Sequence, residues 1–128
     1  MTFKDALQKG LAAHKRAAEA RAEMNEVLAS ASAEVAEITG APITLQFEQL
    51  HRPLQPLQKF TALTASSTGV SPAALAEVTF GELGYPLTLR WEDQLEFAQE
   101  RVSFEEALKR LLGHAATGQK IATLIRQK

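Results

Sequence analysis

The sequence predicts an α+β fold: a long N-terminal helix, an antiparallel sheet of four to five strands, and C-terminal helices packed on one face. Three observations carry this expectation. Residues 3–38 hold no proline and a single glycine, Gly10. Residues 43–102 hold runs of alternating apolar and polar side chains, separated by turn-forming clusters. Residues 103–126 return to helical spacing behind a capping motif. At 128 residues the chain is expected to form one domain. Its parts are residues 1–39 as the long helix, 43–102 as the sheet and 103–128 as the C-terminal helices.

The first helix opens at Thr2, a good N-cap, with Asp5 three residues on to complete a capping box. Gly40 and then Pro42 stop it. Thirty-six residues at the helical rise span about 54 Å. A compact chain of this size has a radius of gyration of about 14 Å, a body roughly 35–40 Å across. The helix therefore overhangs, bends or pairs with another chain.

Phe3, Leu7, Gly10, His14, Ala17, Arg21, Met24, Leu28, Ala31, Val35 and Ile38 recur in steps of four and three, a heptad rhythm. Large side chains occupy the ends of this seam, and His14 and Arg21 weaken its middle. The alanines between Ala12 and Ala22 permit close approach of another backbone. The stripe suits a helix laid on its own sheet as well as one paired with a second chain.

Charge is sorted along this helix. Residues 1–21 carry a net +3 from Lys4, Lys9, Lys15, Arg16 and Arg21 against Asp5 and Glu19. Residues 22–38 carry −4 from Glu23, Glu26, Glu34 and Glu37. This order opposes the helix macrodipole, which favours acids first and bases last. Two such helices running antiparallel would set each basic half beside an acidic half. Exposed pairs are individually weak, so such charges set orientation more than affinity.

Beyond Pro42 the period changes to two. Ile43, Leu45 and Phe47 alternate with Thr44, Gln46 and Glu48 as a first strand. Pro53 to Gln58 is a tandem Pro-Leu-Gln triplet, read as a connecting loop of polyproline character. Phe60–Ala65 reads as a second strand, and Ser66–Gly69 as a turn. Ser71-Pro72 has the form of one short helical turn. Leu75–Phe80 is a third strand, and Leu87, Leu89 and Trp91 mark a fourth. Leu95–Val102 pairs back through Glu92-Asp93 as a fifth strand, with a helix as the alternative. Ser103 then caps a helix, with Glu106 at its third position; Leu108, Leu111 and Leu112 face in, and Gly113 ends it. A last helix spans Thr117–Arg126, with Ile121, Leu124 and Ile125 inward.

Composition excludes several classes. Hydrophobic residues make up 45% and charged residues 23%, ordinary globular values, and the formal charge of −1 argues against a general polyanion binder. The chain has no cysteine, which removes disulfides, thiol nucleophiles and Cys-based zinc sites and suits a reducing, cytoplasmic setting. No apolar run is long enough for a membrane span, and the N-terminus has neither the apolar core of a signal peptide nor the acid-poor character of a transit peptide.

No motif declares a chemistry. Gly113–Lys120 has two glycines and a lysine, but Gln119 separates Gly118 from Lys120, so it is not a phosphate loop. His14, His51 and His114 are scattered, and the acids at Glu92, Asp93, Glu96 and Glu100 read as a solvated edge. No nucleophile elbow surrounds Ser66, Ser67 or Ser71. Catalytic, metal and cofactor sites are therefore expected to be absent.

These residues lead to a non-enzymatic, cytoplasmic protein acting through protein–protein binding, as an adaptor, chaperone, inhibitor or immunity-like protein, self-associating through its first helix. Leu7, Leu11, Lys15, Arg16, Arg21, Met24 and Glu26 are the expected contacts. One alternative is a nucleic-acid-binding accessory protein, if the terminal helices lie together and join Lys4, Lys9, Lys15 and Arg16 with Lys109, Arg110, Lys120 and Arg126 in one basic stripe. Another is an enzyme with a cleft near His51 and Arg52.

Overall fold

A computed structural model of the chain describes residues 2–52 and 55–126, with the side chains of residue 52 and residues 55–58 outside the description. Its first helix, α1, runs unbroken over Phe3–Thr39. Thr2 caps it as expected: its hydroxyl accepts from the Asp5 N–H at 3.1 Å, and the Asp5 carboxylate accepts from the Thr2 N–H at 3.4 Å. At the other end Gly40 turns left-handed, with φ of 70°, and donates to the Ala36 carbonyl.

Five antiparallel strands follow as a simple meander: β1 Thr44–Arg52, β2 Gln55–Ser66, β3 Ala73–Gly81, β4 Gly84–Trp91 and β5 Gln94–Ala98. Short connections make neighbours in sequence neighbours in space, so no crossover is needed. The register pairs Leu45 with Ala65, Phe47 with Leu63, Val78 with Leu89 and Leu87 with Ala98, which places these side chains on one face. A bulge opposite Leu63 and Thr64 makes Leu75 the extra residue, and both Leu75 and Ala76 are thereby buried.

Helices α2, Arg101–Leu112, and α3, Ala115–Arg126, close the chain. The core lies between the sheet and the three helices. Met24, Val27 and Leu28 enter it from α1, Phe104, Ala107, Leu108 and Leu111 from α2, and Ile121 and Leu124 from α3. Phe47 joins the layers, stacked 6.2 Å from Phe104 and edge-on 5.1 Å from Phe80.

Four boundaries differ from the sequence reading. The strand expected over Leu95–Val102 ends at Ala98, and α2 starts at Arg101, so the sheet stops short of residue 102. Ser103 is the third residue of α2, and Glu100 is the cap. The Glu100 carboxylate accepts from the Ser103 N–H at 3.1 Å while the Ser103 hydroxyl accepts from the Glu100 and Gln99 N–H groups. A capping box needs one hydroxyl and one carboxylate three residues apart, and here the two exchange places. Ser71-Pro72 makes no helical turn but leads straight into β3. The second strand is longer than expected: its backbone pairs from Gln55, so most of the triplet taken as a loop is strand, while Pro53 and Leu54 lie outside the described residues.

Candidate functional site

Only part of α1 touches the domain. From Ala17 onward the inward positions are Ala17, Ala20, Met24, Val27, Leu28, Ala31 and Val35, the heptad face expected of a helix on a sheet. Ala17 and Ala20 bring the backbone close to the β3–β4 turn. Gly84 sits there with φ of 91°, and a Cβ added to it would stand 2.5 Å from the Ala20 Cβ. Small residues on both sides thus anchor the middle of the helix.

The first turns are different. Residues 2–12 are exposed all round, and Phe3, Leu7 and Leu11 are 97%, 63% and 59% exposed. They form one apolar line at i, i+4 and i+8 on an arm that stands off the body. Phe3 to Arg16 spans about 20 Å. Lys4, Lys9, Lys15 and Arg16 lie on this arm, and none forms an ion pair among the described residues.

The remaining expected contact residues fall elsewhere. Met24 is fully buried in the core and is not a surface contact, because its position on the seam faces the sheet. The Arg21 guanidinium lies over Phe80, 3.8 Å from the ring centroid, and 5.7 Å from that of Phe47. Glu26 is exposed but engaged with Arg101 at 3.3 Å; Arg101 is also bound to Glu105 at 3.0 Å. Glu23 accepts from the Tyr85 hydroxyl at 2.9 Å. Partial burial and this carboxylate push the Tyr85 phenol well above its ordinary pKa.

The two basic ends do not form one stripe. α3 lies across a groove from the C-terminal half of α1, whereas the basic arm is the opposite end of that helix. Lys109 pairs with Glu106, Arg110 with Glu96, and Lys120 donates to the Ala74 carbonyl. The α2 bases therefore face acids on their own surface.

Sequence reasoning did not anticipate a groove of about 690 Å³ between the C-terminal half of α1, α2 and α3. Val35, Ile38, Leu112, Ile121 and Ile125 give it an apolar lining, with Glu34, Arg101, Glu105 and Lys109 also at its walls. Ile38 remains 86% exposed. The heptad rhythm named Val35 and Ile38, but nothing local showed that α2 and α3 would rise beside them.

Among the described residues no group of three His, Asp or Glu side chains is placed to hold a metal ion, and no helix is long and apolar enough to cross a membrane. His14 and His51 are exposed, and His114 accepts from the Ala116 N–H at 3.3 Å at the start of α3. The segment from Gly113 to Lys120 is the α2–α3 turn followed by the first turns of α3.

The architecture is that of a small α+β protein with a meander sheet, helices on one face and a projecting helical arm. No family model matches the chain, and no curated protein or solved structure is significantly similar to it.

Proposed function

We propose that the chain is a non-enzymatic binding protein of the cytosol, and that the projecting end of α1 is the element that meets its protein partner. The observation that carries this reading is the arm itself, with three large apolar side chains held in line on a helix that none of the described residues covers. A helical segment this short is marginal alone. Here it continues a docked helix, so it needs no new nucleus and is presented already formed. An amphipathic helix of this kind laid in an apolar groove is a recurrent mode of protein recognition.

The test is a triple variant, Phe3→Glu with Leu7→Glu and Leu11→Glu, in the full chain. These positions are outside the core, so the folded domain is expected to remain, with unchanged thermal unfolding. Association, read as solution mass and as proteins retained from nuclease-treated host lysate, is expected to be lost. Identical mass and identical retained proteins for variant and wild type would end the proposal. Retention of nucleic acid alone from lysate not treated with nuclease, lost with added salt, would point instead to the basic residues of the arm.

A further inference from the structure

Taking the arm as a binding element, we infer that its partner is a second copy of this chain. Each copy would lay its arm, Phe3–His14, antiparallel along Val27–Thr39 of the other and into the other's apolar groove. An arm cannot reach its own groove, because α1 is one continuous helix with the arm at one end and the groove at the other. A second copy brings the two together twice, once on each side of a two-fold axis.

Length, apolar surface and charge all fit. Phe3–His14 is about 17 Å long, and Val27–Thr39, which forms one wall of the groove, is about 18 Å long. The arm supplies Phe3 and Leu7, and the groove supplies Val35, Ile38 and Ile125. A two-fold axis between Ala20 and Arg21 sets Phe3 opposite Ile38 and Gly10 opposite Ala31, large with large and small with small. It also sets Lys4 opposite Glu37. Lys4, Lys9, Glu34 and Glu37 form no ion pair among the described residues, so both sets of charges are available for pairing. The reversed charge order, unfavourable for a lone helix, is what an antiparallel pair requires.

The absence of cysteine makes the arrangement directly readable. Residues 4 and 37 lie about 50 Å apart along one helix, so a Lys4→Cys, Glu37→Cys double variant can form a disulfide between them only between copies. Mild oxidation is expected to give a covalent dimer of twice 13.9 kDa that collapses on reduction. Lys4→Cys alone should give none. Sedimentation of the unmodified chain should show a dimer that added salt weakens. Leu7→Glu on the arm and Ile38→Glu in the groove should each raise its dissociation constant about a hundredfold. Cross-linking by Lys4→Cys alone, or a dimer unaffected by Ile38→Glu, would overturn the inference. So would a monomer at every concentration. In that last case the broader reading survives if the triple arm variant still loses a different protein, and falls with the inference if it does not.

Discussion

The two ends of α1 follow the same heptad rhythm and have opposite fates. From Ala17 to Val35 the stripe packs against the body of the domain, with Met24 and Leu28 all but inaccessible. From Phe3 to Arg16 it meets solvent, with Phe3 and Leu7 as its largest side chains. Periodicity therefore specifies that a face exists without specifying what covers it. The difference arises from length: at about 55 Å, α1 exceeds the sheet it crosses, and the surplus lies at its N-terminal end.

The sharpest test of that contrast is a matched pair of truncations. Leu28→Ala leaves a cavity in the core and should cost about 3 kcal/mol. Leu7→Ala removes an exposed side chain and should change monomer stability by less than about 0.5 kcal/mol. Urea unfolding followed by fluorescence of Trp91, the single tryptophan, measures both. Equal costs would mean that the arm is packed in the monomer, contrary to its exposure.

Two glycines sharpen the comparison further. Gly84→Ala forces a Cβ against Ala20 and onto a backbone with φ of 91°, and should cost about 2 kcal/mol. At Gly10 on the arm a Cβ meets nothing within 4 Å, so Gly10→Ala should raise helicity and stabilise the arm by up to about 1 kcal/mol. Circular dichroism with thermal unfolding separates the two signs.

The smallest effect concerns Tyr85, which ties β4 to Glu23 at the N-terminal end of the docked part of α1. Its phenol is held neutral in the fold, with a pKa raised above the ordinary value of about 10. Its contribution is therefore complete below about pH 10 and declines as pH rises beyond that, because the unfolded chain gives up this proton first. Tyr85→Phe should lose about 1 kcal/mol or less at neutral pH and should show a shallower loss of stability in alkali. Parallel pH profiles for the two proteins would remove this tie from the account.

Much of the architecture was legible locally. Thr2 with Asp5, and Gly40 before Pro42, bounded the first helix, and alternation at Ile43–Phe47 and Leu87–Trp91 marked the surest strands. Errors occurred where two local signals competed. Glu100 and Ser103 can each cap the other's backbone, so the start of α2 could be read three residues late. At Gln55–Gln58 proline argued for a loop, but pairing with β1, where Gln55 meets Arg52, makes β2 a long strand. In the candidate site, Leu7, Leu11, Lys15 and Arg16 lay where an exposed helix end puts them, whereas Met24 on the same seam went inside.

The sequence by itself determined the order of elements, the caps of the first helix, the reversed charge gradient along it and the apolar line on its arm. Each depends on residues within a few turns or one strand of one another. Only the tertiary structure decided where α1 leaves the sheet, that Arg21 lies on Phe80, that the bases of α2 are taken by Glu96 and Glu106, and that α1, α2 and α3 enclose an apolar groove. These depend on distances between segments far apart in the chain, set by the twist of the sheet and the closeness with which its layers pack.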